Sequence, residues 1–257
     1  MEQYELWFPF SSAEEADPNA ILVFCFHHAG GSASVYKKWT ALNDNNIVFV
    51  PVELPGKGCR IEEDPICDMK LLTDMLANAV EHFADGRRFV FYGHSMGAAI
   101  AFKTAHTMQV SCAVKPELLI VSGRHSPCIS IIDRYTTDMD DSMLIKELEV
   151  MGGTPKEILE NKEIMQFLIP KIKNDYKLNE SFIFQGEMLD IPIEAYAGSE
   201  DFDASFDMLD DWENVTTCGV VKKEFHGEHF FPFDLDPWYQ KELKARICCY
   251  IQRPVFK

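Results

Sequence analysis

Phe89-Val90-Phe91-Tyr92-Gly93-His94-Ser95-Met96-Gly97-Ala98-Ala99-Ile100-Ala101-Phe102 is the stretch that decides the architecture. Its first four residues are apolar and β-prone, and the run from Ala98 onward suits a helix. Between them lies Gly93-His94-Ser95-Met96-Gly97, a G-x-S-x-G turn. Strand, sharp turn, then helix is the setting that lifts a serine hydroxyl above the edge of a sheet. Such a turn strains the serine backbone and demands tiny neighbours, which Gly93, Gly97, Ala98 and Ala99 supply. The helix that follows points its N-terminus toward the serine, where it favours developing negative charge. Ser95 is therefore the expected nucleophile.

Working outward, apolar β-rich runs recur at Ile21–Phe26, 47–52, 118–122, 191–197 and Val220–Phe225. Largely apolar runs suit strands buried on both faces. Helix-like runs alternate with them. In 68–83, Leu72, Met75, Leu76, Ala79, Val80 and Phe83 recur at three- and four-residue spacing behind Asp68, a predicted N-cap. A final helix is predicted from Asp236-Pro237, with Pro at the first helical position and Trp238, Leu243, Ile247 and Ile251 toward the core. The alternation predicts an α/β chain with a mainly parallel sheet and helices on both faces. With the serine turn, this is the α/β-hydrolase fold. The 257 residues suit one domain spanning 1–257.

One stretch breaks the rhythm. The interval between the fourth and fifth strands is too long for a single crossover helix. It carries helix-like runs at 142–151, 155–169 and 170–182, punctuated by Gly152-Gly153 and Pro170. The expectation is a helical lid insertion over about 128–187, placed on the C-terminal sheet edge where open α/β sheets bind ligands.

A serine hydroxyl needs a base to take its proton. In this fold the partners follow in the order serine, acid, histidine. Of eight histidines, His27, His28, His82, His94, His106 and His125 precede the last strands or adjoin the serine. His226 and His229 follow the sixth run. His229 is preferred because Gly227 lets the loop turn back and Phe230-Phe231 can anchor the next segment, whereas His226 sits at the strand end. The acid belongs on Gly198-Ser199-Glu200-Asp201-Phe202-Asp203. Asp201 is preferred over Asp203 and Glu200 for its position and short side chain, and its expected task is to fix the tautomer of His229.

Phe26-His27-His28-Ala29-Gly30-Gly31-Ser32 is a Gly-rich loop after the first strand, where this fold places one oxyanion N–H donor. The assignment is Ala29 N–H with Met96 N–H, the residue after the nucleophile, and His28 is the neighbouring alternative. The adjacent pair His27-His28 does not read as a metal site, because neighbouring side chains rarely converge on one ion.

Composition narrows the class. The formal net charge is −17, which argues against nucleic-acid binding. No apolar run reaches the ~18 residues of a membrane span, and the acidic start Met1-Glu2-Gln3-Tyr4-Glu5 does not read as a signal peptide. Eight cysteines form no C-x-x-C pair, and with no export signal read at the start a reducing cytoplasm is the expected compartment.

Together these motifs make the chain resemble the type II thioesterases that accompany non-ribosomal peptide and polyketide synthases. The resemblance rests on Phe26-His27-His28-Ala29-Gly30-Gly31, Leu54-Pro55-Gly56-Lys57-Gly58-Cys59-Arg60, Gly93-His94-Ser95-Met96-Gly97-Ala98, Ser122-Gly123-Arg124, Gly152-Gly153-Thr154-Pro155 and Gly227-Glu228-His229-Phe230-Phe231. It implies a proofreading enzyme of antibiotic-type biosynthesis that hydrolyses stalled or wrong acyl groups from the phosphopantetheine arm of acyl or peptidyl carrier proteins. The arm belongs to the partner, and no cofactor of the chain's own is implied. The lid would shape the acyl chamber, with Met143, Leu144, Leu148, Met151, Ile164 and Phe167 as candidate lining. Lys156, Lys162, Lys171 and Lys173 are candidate docking cations for an acidic carrier. Departures from the family pattern are Lys57 for an arginine, Ala98 for a glycine and Glu228 within a Gly-Gly. The competing expectations are a medium-chain acyl-carrier-protein thioesterase that releases fatty acids, a general carboxylesterase, and a non-catalytic binding protein.

Overall fold

Odd and even residues of the first strand feed two different cores. The computed structural model describes residues 4–11, 17–129 and 135–251. Strand β1 (Ile21–Phe26) is buried along its whole length. Because side chains alternate across a pleated strand, Leu22, Phe24 and Phe26 pack on one side with Leu72, Leu76, Ile100 and Phe102. Val23 and Cys25 pack on the other with Tyr36, Trp39, Tyr239, Leu243 and Ile247.

The remaining strands are β2 (Ile47–Pro51), β3 (Phe89–His94), β4 (Leu119–Ser122), β5 (Ile193–Gly198) and β6 (Val220–Phe225). Among the described residues the sheet has six strands in the order β2-β1-β3-β4-β5-β6, and every pairing is parallel. Phe24 stands opposite Val50 on one side and Phe91 on the other. The order reverses between β1 and β3, and the crevice at such a switch point is where open sheets place ligands. The loop after β1 and the serine turn after β3 both open into it.

Helices α1 (Met69–Ala84) and α2 (Met96–Ser111) cover the first face, and α7 (Trp238–Ile251) with a 3-10 segment at Ala33–Leu42 covers the second. The Asp68 side chain caps α1 by accepting the Leu71 N–H at 2.8 Å. A short α6 (Phe231–Asp234) precedes α7. No helix among the described residues is long and apolar enough to cross a membrane.

Between β4 and β5 the chain builds α3 (Asp141–Met151), α4 (Lys156–Leu159) and α5 (Lys162–Glu180). They share a core of their own made of Tyr135, Leu144, Leu148, Met165, Ile169 and Ile172. Residues 130–134 of the expected insertion lie outside the described residues.

Several expectations need correction. Pro170 does not divide two helices but sits inside α5. It removes one N–H, and both Pro170 and Gln166, four residues before it, are exposed residues where the helix runs on. The break comes earlier, where Asn161 recaps the chain by accepting the Ile164 N–H at 3.1 Å. Strand β6 is not buried on both faces: it closes the sheet edge, and Val221 is 46% exposed. Met75 is exposed on α1. Helix α7 begins at Trp238 rather than at Pro237, which leaves Trp238 exposed at its first turn. Leu243 and Ile247 are core residues, and the Ile251 side chain lies outside the described residues.

Candidate active site

Ser95 is the single residue between the end of β3 and the start of α2. Its backbone sits at φ 55 and ψ −119, a conformation that costs a non-glycine residue about 1–3 kcal/mol. Hydrogen bonds on both sides hold it there. The Ser95 N–H donates to the Ser122 carbonyl at 2.8 Å, and the Ala98 N–H donates to the Ser95 carbonyl at 3.0 Å. The flanking glycines are steric requirements. A Cβ on Gly93 would lie 2.3 Å from the Gly97 carbonyl oxygen, and a Cβ on Gly97 would lie 2.0 Å from that of Phe26. Met96 opens α2, so its N–H has no carbonyl one turn back.

The loops after β5 and β6 meet beside this turn. His229 Nδ1 lies 2.9 Å from Asp201 Oδ2. Both residues are buried, at 5% and 4% exposure. The other carboxylate oxygen, Oδ1, accepts the N–H groups of Asp203 at 3.0 Å and Ala204 at 3.2 Å. Burial pushes the Asp201 carboxyl up, but His229 and these two N–H donors outweigh it and leave its pKa below the ordinary value. Among the described residues no hydrogen bond engages His229 Nε2. The competitors are placed elsewhere. Glu200 stands 3.7 Å from the exposed His226, and Asp203 lines the cavity without being the partner of His229. His94 is fully buried with its ring 5.0 Å from that of His229. Burial, then the proximity of His229 and His28, pushes its pKa well down, so it stays neutral.

The loop after β1 closes the other side. The Gly31 N–H donates to the His28 carbonyl at 3.1 Å, and Gly30 has φ +81. This is a type II turn, whose third position requires positive φ. His27 Nδ1 lies 2.9 Å from the His28 carbonyl, and His28 Nδ1 lies 2.9 Å from the Ala29 carbonyl. A carbonyl only accepts, so both Nδ1 atoms carry the proton. Burial pushes the two imidazoles down to about 3 and about 4, consistent with neutral rings. The loop carbonyls are thereby engaged, and the Ala29 N–H makes no hydrogen bond among the described residues.

Ala29, Ser95, Met96 and His229 line one cavity of about 150 Å³. The helical insertion forms its far wall through Tyr135, Glu147, Met151, Tyr176, Asn179 and Glu180. The expected acyl lining is largely corrected here, since only Met151 of the six candidates touches the cavity. Leu144 and Leu148 are spent on the insertion's own core. Met143, Ile164 and Phe167 turn outward, at 37%, 37% and 62% exposure. The cavity wall is more polar than the apolar spacing implied. Arg124 from the β4 loop donates to Asn179 Oδ1 at 2.8 Å. Only Ser122-Gly123-Arg124 had been visible as a motif; the α5 partners carried no signal in the sequence. Of the four candidate docking lysines, Lys156 and Lys173 are paired with Glu160 and Asp141. Glu228 is exposed.

Comparison with known proteins places this site in context. A thioesterase-domain family model matches residues 22–237. Linear gramicidin dehydrogenase LgrE of Brevibacillus parabrevis is 33% identical over 82% of this chain and 81% of its own. That name describes an oxidoreductase, yet the G-x-G-x-x-G fingerprint of dinucleotide binding does not occur in this sequence. Gramicidin S biosynthesis protein GrsT of Aneurinibacillus migulanus is 30% identical over 91% of both chains. Among solved structures, ClbQ from the colibactin NRPS/PKS pathway superposes with a TM-score of 0.82 at 29% identity, covering 90% of this chain and 98% of that one. A family match across most of the chain, and a fold shared with a solved relative at this similarity, lead to one conclusion: the chain belongs to the thioesterase family.

Proposed function

We propose that the chain is an editing thioesterase that clears stalled or aberrant acyl groups from the phosphopantetheine arms of carrier proteins. The observation that carries the reading is the buried Asp201–His229 pair beside the strained Ser95 turn, in one small cavity. Ser95 Oγ attacks the thioester carbonyl carbon while His229 Nε2 takes its proton. The N–H groups of Ala29 and Met96 hold the oxyanion. The C–S bond breaks, and the pantetheine sulfur leaves with the proton from His229. Water then gives a proton to His229 and attacks the acyl-enzyme, releasing the acid and restoring Ser95. Asp201 keeps Nδ1 protonated, so Nε2 faces the serine as a base.

The cavity volume favours short acyl groups over medium-chain ones. About 150 Å³ lies below the ~300–1,000 Å³ of sites for larger ligands. The kinship with proteins named for gramicidin and colibactin biosynthesis supports a carrier-bound substrate. For docking, Ile164 and Phe167 present apolar surface on the insertion, and Lys171 lies over the Phe167 ring at 4.7 Å. An apolar contact with a local cation suits an acidic carrier better than the net charge of this chain does. A cytoplasmic setting fits such partners.

The test is release of butyryl and decanoyl groups from a holo-carrier protein and from N-acetylcysteamine, with wild type and Ser95→Ala side by side. Ser95-dependent release that is faster from the carrier and faster for butyryl supports the reading. Equal rates on both thiols remove the carrier partner, a decanoyl preference points to fatty-acid release, and turnover that survives Ser95→Ala removes the mechanism.

A further inference from the structure

The second surprise in the α5 helix is a buried ion pair. Lys57 Nζ donates to Asp175 Oδ2 at 2.5 Å, with the two residues at 7% and 4% exposure. The same oxygen accepts the Gly30 N–H at 2.6 Å. Lys57 Nζ also lies 3.4 Å from the Lys171 carbonyl. One carboxylate on the insertion therefore grips the turn that follows β1, and one lysine from the Leu54-Pro55-Gly56-Lys57 loop fastens that carboxylate to the body of the protein.

The gripped N–H belongs to the Ala29–Gly30 peptide, the central peptide of the type II turn. Ala29 stands at the second position of this turn, one residue before the gripped N–H, so its own N–H rides on the loop that Asp175 pins. From the protein body, His28 Nδ1 holds the carbonyl of this peptide; from the insertion, Asp175 holds its N–H. A buried carboxylate alone would be costly. Burial raises the Asp175 pKa, and Lys57, followed by the Gly30 N–H, opposes that rise. The net shift is still upward, and it is the contact with Lys57 Nζ that holds the acceptor in place.

We infer that Asp175 is a positioning residue that acts through Gly30 to set the Ala29 N–H for the oxyanion, so that the seating of helix α5 and the competence of the active site are coupled. This rests on the reading that Ser95 is the nucleophile and Ala29 an oxyanion donor. Displacing α5 withdraws the acceptor and loosens the turn. Return of α5 restores it, and the oxyanion site is complete only when the insertion is seated.

The test separates the acceptor from the ion pair. Lys57→Met with Asp175→Asn removes both charges but leaves an amide oxygen for the Gly30 N–H. Lys57→Met with Asp175→Leu removes the charges and the acceptor together, and a buried pair replaced by apolar groups need not lose stability. Both are assayed on butyryl-N-acetylcysteamine, with calorimetry for folding. Each is also titrated with a butyl trifluoromethyl ketone, whose carbonyl carbon bonds to the serine oxygen and places an oxyanion in the hole. The expected result is that the leucine variant loses ten- to hundredfold in kcat relative to the asparagine variant, loses ketone affinity in step, and keeps KM within about twofold. Equal kcat in the two variants overturns the inference, as does a loss confined to KM. Should the leucine variant fail to fold, Lys57→Met with Asp175→Ala makes the same comparison. Ser95→Ala is run in parallel: if it stays active the functional reading fails, whereas an inactive Ser95→Ala with indifferent Asp175 variants refutes only this inference.

Discussion

Asp201→Asn is a near-isosteric change whose effect follows from hydrogen-bond directions. In the native chain Oδ1 accepts two N–H groups, from Asp203 and Ala204, and Oδ2 accepts one, from His229 Nδ1. An asparagine has one oxygen and one NH₂ to place in those positions. Putting the NH₂ at the Oδ1 position sets it against two donors. Putting it at the Oδ2 position sets it against one, and the imidazole can answer by moving its proton. The amide therefore faces His229 with its NH₂, Nδ1 becomes the acceptor, and the proton sits on Nε2. A protonated Nε2 cannot take the proton of Ser95. In a serine protease with the same arrangement such an exchange lowers kcat about ten-thousandfold, or about 5.5 kcal/mol at ~1.36 kcal/mol per tenfold. The assay is single-turnover hydrolysis of butyryl-N-acetylcysteamine at saturating substrate, with KM measured separately. The expected result is that kcat falls by three to four powers of ten while KM stays within a few fold. An Asp201→Asn enzyme within tenfold of wild type in kcat would refute the tautomer argument and with it the role given to Asp201.

Two further outcomes follow from packing and titration. Gly97→Ala places a methyl 2.0 Å from the Phe26 carbonyl oxygen, so chemical denaturation is expected to show a loss of about 3 kcal/mol or more. Gly86→Ala, with φ +78 and nothing within 4 Å, loses only the backbone strain of about 1–2 kcal/mol; similar losses in both would refute the steric account. His27 is buried and its pKa is depressed to about 3 from 6.5. Because the folded pKa is the lower one, the unfolded chain binds the extra proton. The contribution is complete above pH 6.5 and declines as pH falls toward 3, reaching about 2 kcal/mol lost at pH 5. Urea unfolding at pH 7.5 and pH 5 is expected to show that much less acid sensitivity in His27→Gln, and an unchanged pH slope would count against it.

The parts of this protein legible in its sequence are the ones set by neighbours along the chain. A strand, a G-x-S-x-G turn and a helix are local, and the steric need for Gly93, set by the Gly97 carbonyl, is written within a few residues of Ser95, whereas Gly97 answers to Phe26 on the neighbouring strand. The order of acid and histidine after known strands placed Asp201 and His229, because the C-terminal ends of parallel strands share one edge of the sheet. The alternation of Leu22, Val23 and Phe24 across β1 was likewise implicit in the pleat. What only the tertiary structure decided depends on how separate elements rotate and dock. The rotation of α3 and α5 about their own axes buried Leu144 and Leu148 in a private core and turned Ile164 and Phe167 to solvent, because apolar spacing marks a face without saying what covers it. Pro170 reads as a stop, but its exposed position let the helix pass through. Val221 reads as buried, but the topology left β6 at the edge. The bond from Gly30 to Asp175 joins residues far apart in the chain, and no local rule relates a carboxylate of the insertion to a turn after the first strand; that contact exists only because the insertion folds back onto the switch point of the sheet.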